Sequence, residues 1–339
     1  MATKTDVDAA GIAAAPVGLA GGTGSIDHLI AIEELTTAEL VGLIDLAGSV
    51  KADPAAYRGA LDGLSVTMLF EKPSLRTRMT FEIGLTKLGA HVVYFDHSKQ
   101  RIGERESVKD YIKNLERWTD VVIARVFDHG VLEGFCTHGR VAVINALSDR
   151  EHPCQALADL LTIRETIGFL EGARLCWVGD GNNVCHSLML AAAKLGMHFT
   201  AITPKGFEPS YAVVKRATES AAALKTGATI TLSNNLEKVR GHHAVYTDTW
   251  VSMGEEHQGN LRDGAFANFT VDDETMAKAS AGMAEGGVGG AIFMHCLPAH
   301  RGEEVTDEVI DSAASVVYDQ AENRMHAQNA LVLRMMGKA

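Results

Sequence analysis

The chain has no cysteine pair in C-x-x-C spacing, no apolar run of membrane-spanning length and no excess of positive charge. Each absence closes a class of function. Its five cysteines (Cys136, Cys154, Cys176, Cys185 and Cys296) are odd in number and sit mostly inside apolar runs, the usage of reduced thiols in a cytoplasmic protein. A disulfide scaffold is excluded. No stretch reaches the ~18–20 uninterrupted apolar residues that a spanning helix needs, so no membrane partner is expected. Lys plus Arg total 31 against 43 Asp plus Glu, a formal charge of −12, which repels nucleic acid unless basic residues are gathered in one place. There is no short internal repeat and no block of like charge.

What is present reads as a folded protein. Hydrophobic residues are 46% and charged residues 22%, close to the globular average, and 339 residues suit two domains of roughly 150 each. The Ala/Gly-rich start, residues 1–25, carries Asp6 and Asp8 ahead of a short run broken by Pro16, so it is expected as a flexible tail and not an export signal. From Asp27 to Val50, Leu40, Leu43 and Leu46 fall at helical spacing, with Thr36 or Thr37 placed to cap.

Short β-type runs then alternate with helical segments: strands at Ser65–Phe70, His91–Phe95, Val121–Val126 and Val141–Leu147, helices at Leu75–Leu88, Ser107–Trp118 and Val131–His138. A helix over His152–Phe169 leads into a second series, with strands at Arg174–Val178, His198–Ile202, Thr229–Leu232, Ala244–Thr247 and Ala291–His295 and a first helix at Val184–Leu195. Val316–Tyr318 reads as one more short strand and Glu322–Met336 as a long terminal helix. The expected fold is α/β in two domains, each a mostly parallel sheet with helices on both faces, joined by interdomain helices. The boundaries expected are 26–151, with the helix at 321–337 packing back on it, and 152–320, which includes the linking helix.

Polar clusters fall at the carboxyl ends of these strands, where open α/β sheets place ligands. Ser74-Leu75-Arg76-Thr77-Arg78 follows a strand and opens a helix, whose first N–H groups are unpaired and suit phosphate; an ordinary capped helix has the same spacing. His152 and Gln155 share one face at the start of the linking helix and can reach one small ligand, although a lone His there also serves as a cap. Gly179-Asp180-Gly181-Asn182-Asn183 resembles a dinucleotide turn. The third glycine position holds Val184, however, and the stretch ~20 residues on, Thr200–Thr203, has no acidic residue, so a nicotinamide enzyme is disfavoured. Asn182 and Asn183 instead suit a ligand with amino and carboxylate groups, or simply a tight turn. Two further clusters, at Asp248 to Gly254 and at His295-Cys296-Leu297-Pro298, end strands of the second half.

Taken in order, these segments resemble the aspartate/ornithine carbamoyltransferase family, and within it the ornithine branch, from about Asp27 onward. The family's Ser-Thr-Arg-Thr-Arg stands here as Ser74 to Arg78, its His-Pro-x-Gln as His152 to Gln155, its His-Cys-Leu-Pro as His295 to Pro298, and the branch's Asp-x-x-x-Ser-Met-Gly as Asp248 to Gly254. The resemblance implies transfer of the carbamoyl group of carbamoyl phosphate to the δ-amine of L-ornithine, giving L-citrulline and phosphate. It further implies arginine biosynthesis in the cytoplasm, a homotrimer with active sites near subunit boundaries, and no metal or cofactor. It assigns carbamoyl phosphate to Ser74, Leu75, Arg76, Thr77, Arg125, His152, Gln155 and Arg324, with Cys296 and Leu297 between the substrates, and ornithine to Asn183, Asp248, Ser252 and Met253. The chemistry would rest on Arg76, Arg125, His152, Asp248 and Cys296, and a cis Leu297–Pro298 bond is implied. Two residues depart from the pattern: Leu75 replaces a Thr, and Arg101 stands where a Gln commonly reaches a neighbouring subunit's site. Acylated ornithines or putrescine as acceptors, or a non-catalytic paralogue, are the other readings; the intact Asp248 to Gly254 stretch and the full ligand set favour free ornithine and an enzyme.

Overall fold

The computed structural model describes residues 26–251, 264–281, 283 and 289–339. Two five-stranded sheets are built, and every strand pairing in both is parallel. The first sheet has the order β1-β5-β4-β2-β3, from β1 (His28–Leu29), β2 (Ser65–Phe70), β3 (His91–Asp96), β4 (Val121–Arg125) and β5 (Ala142–Leu147). The second runs β10-β9-β6-β7-β8, from β6 (Arg174–Val178), β7 (His198–Ile202), β8 (Ile230–Ser233), β9 (Ala244–Thr247) and β10 (Ile292–His295). Among the described residues the main α-helices are α1 (Thr37–Ala52), α2 (Leu75–Lys87), α3 (Val108–Leu115), α4 (His129–His138), α5 (Pro153–Ile167), α6 (Asn183–Leu195), α7 (Tyr211–Leu224), α8 (Asp273–Ser280), α9 (Asp307–Ile310) and α10 (Val317–Met335). The α/β class with two parallel sheets is therefore as expected.

The central strand β4 is buried along its whole length because helices cover both faces: Val121 to Ala124 are apolar, and Arg125 ends it. Helix α5 is buried on every side from Pro153 to Ile163, the property of a helix lodged inside the molecule. It packs against α10, which also lies on α1 and α2, so side chains from both sequence halves meet in one core.

Two local expectations are corrected. The segment before α1 is not one helical run: His28–Leu29 pairs with β5 as a two-residue strand, and the helix starts only after Thr36, whose hydroxyl accepts from the Glu39 amide. Val316–Tyr318 is not a strand. A single bridge joins Ser315 to Phe293, and Val317 already belongs to the first turn of α10. Two β-branched residues and a tyrosine set the local preference, but burying Val317 in the adjacent core as part of a long helix overrides it.

Candidate active site

The strand β2 ends at Phe70, and the chain turns through Glu71, Lys72 and Pro73 into Ser74, the N-cap of α2. The Ser74 hydroxyl accepts from the Thr77 amide at 3.3 Å, which leaves the other amides at the helix start without intrahelical acceptors. The turn is anchored from beneath. Glu71 is buried, and its two oxygens accept from the amides of Ile102 and Phe127, each at 2.8 Å. The Phe127 ring is stacked by Lys72 at 4.4 Å and by Arg101 at 4.1 Å, which is where the departure at Arg101 is placed.

Three guanidiniums approach this helix start. Arg76 comes from α2 itself, Arg125 from the last position of β4, and Arg324 from the far helix α10. Arg324 donates to Gln155 Oε1 at 2.6 Å and to Thr77 Oγ1 at 3.0 Å, so one side chain ties α10 to both α5 and α2. Arg125 is 3% exposed, and its Nε has no hydrogen-bond partner among the described residues. Burial, then the neighbouring charges of Arg324 and Arg76, draw Arg125 down to about 9, still cationic at neutral pH. His152, the N-cap of α5, sits among them with its Nδ1 buried and unpartnered among the described residues. Burial, then Arg324 and Arg125, hold its imidazole well below the usual value, so it is neutral. Cations this close repel one another, and a multiply charged anion at the helix start relieves that repulsion.

The opposite wall comes from the second sheet. Asn182 caps α6 by accepting from the amides of Val184 and Cys185, and its Nδ2 donates to Asp248 Oδ2 at 2.8 Å. Asn183 donates to the Ser148 carbonyl at 2.6 Å, which turns its own carbonyl oxygen away from that contact. Gly181 is explained by packing: a Cβ there would meet the backbone of Pro209 at 2.2 Å. Asp248, beyond β9, accepts on Oδ1 from the Thr249 amide at 2.8 Å and from the Cys296 thiol at 3.0 Å. Burial, then Asp248, push that thiol well above its ordinary value, so Cys296 stays protonated and is no thiolate nucleophile. The Leu297–Pro298 bond is cis, and the Leu297 amide donates to His295 Nδ1 at 2.8 Å. That contact puts the ring proton on Nε2, facing buried Glu304 at 3.1 Å.

Between the walls lies a cleft of about 340 Å³. Ser74, Leu75, Arg76, Thr77, Arg125, His152, Gln155 and Arg324 line one side of it, and Asn183, Asp248, Cys296 and Leu297 the other. Ser252 and Met253 lie outside the described residues. Sequence reasoning gave no role to Lys72, Thr249 or His300, which also line the cleft, nor to Asn182 as the support of Asp248. The position of Lys72 inside the turn before Ser74 was the available signal; nothing local marked His300. The Leu75 side chain is 74% exposed, so the larger residue is accommodated without crowding the helix start.

Two groups bring metal-type ligand atoms within 4.8 Å of one another, Asp248–His295–Cys296 and His300–Glu303–Glu304. In the first, both ring nitrogens of His295 are hydrogen-bonded; in the second, Glu304 Oε1 accepts from His295 and from the His300 amide.

Comparison with known proteins gives a consistent result. The family model described as aspartate/ornithine carbamoyltransferase, carbamoyl-P binding domain, matches residues 27–165, and that for the Asp/Orn binding domain matches residues 171–335. The chain is 48% identical to an ornithine carbamoyltransferase of Shewanella oneidensis over 91% of this chain and 99% of that relative. It is 41% identical to one of Archaeoglobus fulgidus over 92% of this chain and 98% of that relative. Among solved structures, an ornithine carbamoyltransferase from Pyrococcus furiosus aligns with a TM-score of 0.85 at 41% identity, covering 91% of this chain and 97% of the other.

Proposed function

Because this chain belongs to the aspartate/ornithine carbamoyltransferase family, we propose that it transfers the carbamoyl group of carbamoyl phosphate to the δ-amine of L-ornithine, releasing L-citrulline and phosphate. The observation that carries this reading is the corner where Arg76, Arg125 and Arg324 meet a neutral His152 at the start of α2, across one cleft from Asp248 and Cys296.

In this scheme Ser74, Thr77, the α2 amides and the three arginines seat the phosphate. The amine attacks the carbonyl carbon, a C–N bond forms, the bond to the phosphate oxygen breaks, and the proton shed by nitrogen leaves with the phosphate. Negative charge appears first on the carbonyl oxygen, where Thr77, Arg125 and His152 can donate; donors fixed in advance at such a point supply a large share of catalysis. The Gln155 Oε1 and the Leu297 carbonyl accept from the carbamoyl NH₂ and hold its plane, the orientation part of the rate. A δ-amine with a solution pKa near ~10.4 costs about 4–5 kcal/mol to present neutral at pH 7, and the cationic corner beside it favours that neutral form. Asn183, Asp248, Ser252 and Met253 hold the amino-acid end, with Asp248 on the α-ammonium.

The test is citrulline formation, read by product mass, with ornithine, N-acetylornithine, N-succinylornithine and putrescine compared as acceptors. Ornithine is expected to exceed the others at least 100-fold in kcat/KM; preference for an acylated acceptor or for putrescine would assign the chain to another branch.

We further propose arginine biosynthesis as the role, the cytoplasm as the site, and a homotrimer as the assembly. The five free cysteines support a reducing compartment. No helix among the described residues is long and apolar enough to cross a membrane. For the trimer, the support is an apolar face beside the phosphate corner: Leu75, Met79 and Ile83, one turn apart on α2, and Val93 and Phe95 on the edge strand β3 are all exposed. Sedimentation should return three times the chain mass, and Phe95→Glu should return the monomer; a trimer that persists in this variant places the interface elsewhere. The first sheet with α10 is read as the carbamoyl-phosphate domain, and residues 152–320 as the ornithine domain.

A further inference from the structure

Among the buried polar groups outside the assigned ligands, one carboxylate touches both Gln155, assigned to carbamoyl phosphate, and Gln320, which holds the strand end before Cys296 and Leu297. We propose that Asp159 is a positioning residue for carbamoyl transfer: by accepting from the amides of Gln155 and Gln320 together, it turns the Gln155 carbonyl toward the phosphate corner and the Gln320 carbonyl toward the strand end that precedes Cys296 and Leu297. The inference deepens the reading above and rests on it.

Asp159 lies in the middle of α5, one turn beyond Gln155, and is fully buried; Gln155 and Gln320 are each 1% exposed. Its Oδ1 accepts from Gln155 Nε2 at 2.8 Å and from Gln320 Nε2 at 2.9 Å. Burial raises the carboxyl above the ordinary carboxylate range, and at both contacts Oδ1 is the acceptor, facing an amide nitrogen on each side. A side-chain amide has a donor end and an acceptor end. An accepting oxygen therefore captures the NH₂ of each amide and turns each carbonyl the other way.

The two carbonyls point to opposite sides of the site. Gln155 Oε1 faces Arg324, which in turn reaches Thr77 at the start of α2. Gln320 Oε1 accepts from the His295 amide at 2.9 Å, at the end of β10 and immediately before Cys296 and Leu297. A continuous chain of hydrogen bonds thus runs from Thr77 through Arg324, Gln155, Asp159 and Gln320 to His295. Its two ends are the helix start that seats phosphate and the strand end that carries the Leu297 carbonyl. If the Gln155 amide were reversed, it would present NH₂ to both Arg324 and the carbamoyl NH₂, donor against donor.

The test measures steady-state citrulline formation by the full chain and by Asp159→Leu, Asp159→Asn, Gln320→Leu, Gln155→Ala and the Asp159→Leu/Gln155→Ala double variant, with circular dichroism to check folding. Asp159→Leu is expected to lower kcat at least 100-fold while KM for carbamoyl phosphate moves less than threefold, because orientation and not the grip on phosphate runs through Asp159. Asp159→Asn keeps an oxygen able to accept from both amides and should restore kcat to within tenfold of the parent. In the Gln155→Ala background, Asp159→Leu should lower kcat no further than Gln320→Leu does in the parent, because only the Gln320 arm is left to lose. If Asp159→Leu does not fold, Gln320→Leu carries the test, with kcat expected at least tenfold down at a similar carbamoyl-phosphate KM. The proposal is overturned by full multiplicative loss in the double variant, by Asp159→Asn as impaired as Asp159→Leu, or by unchanged kcat in Gln320→Leu. Absence of citrulline from the parent chain would instead refute the assigned reaction, so the two failures are distinguishable.

Discussion

Replacing Arg76 by alanine is expected to lower kcat/KM for carbamoyl phosphate by about 10³-fold, with the ornithine KM changed less than threefold. Loss of one preorganised donor to developing charge costs about 10²–10³ in rate, and loss of a cation from the phosphate seat adds to that. Arg76 is the informative choice among the three arginines. Arg324 also holds Thr77 and Gln155, and Arg125 is buried in β4, so changing either disturbs the fold as well as the ligand. The Arg76 side chain makes no hydrogen bond or ion pair to another described residue and is only half-buried, so its removal reports on the anion. Initial rates against carbamoyl phosphate at saturating ornithine give the answer, and an unchanged affinity for carbamoyl phosphate would remove α2 as the phosphate seat.

The second large effect is expected at Asp248. Asp248→Asn keeps the shape but not the charge, and its NH₂ must face a donor: Asn182 Nδ2 holds one oxygen, and the Cys296 thiol and the Thr249 amide share the other. Removing one partner of a hydrogen-bonded charge pair in such a cleft costs about 2–5 kcal/mol, so kcat/KM for ornithine should fall at least ~30-fold while the carbamoyl-phosphate KM stays within threefold. The measurement is an ornithine titration at saturating carbamoyl phosphate. A loss that fell equally on both substrates would mean that Asp248 braces the cleft and does not select its occupant.

Much of this site could be read from one dimension, for identifiable reasons. The strands and helices that position it alternate in period, and the turn from β2 into α2 concentrates Ser, Thr and Arg where a helix leaves its amides open. Asp159 and Gln320 are not legible because a polar residue in a helix ordinarily faces water; only the covering of α5 on all sides, and of the face of α10 that meets it, makes them interior. The neutrality of His152 is equally hidden, since it depends first on complete burial and then on Arg324, which arrives from another helix late in the chain. The strand expected at Val316–Tyr318 failed for a related reason, local preference yielding to a long helix that the core requires. The two-residue strand β1 is too short to leave any periodic trace.

The placement of α10 also sets an order of events during synthesis. Every strand of the first sheet has been made by Leu147, yet Arg324 and Gln320 are added only with α10. A growing polypeptide therefore holds every strand of that sheet, and the helix start at Ser74, well before it holds the two α10 side chains that reach Gln155, Thr77 and Asp159. On the proposed role of Arg324, a complete seat for carbamoyl phosphate is among the last features that synthesis supplies.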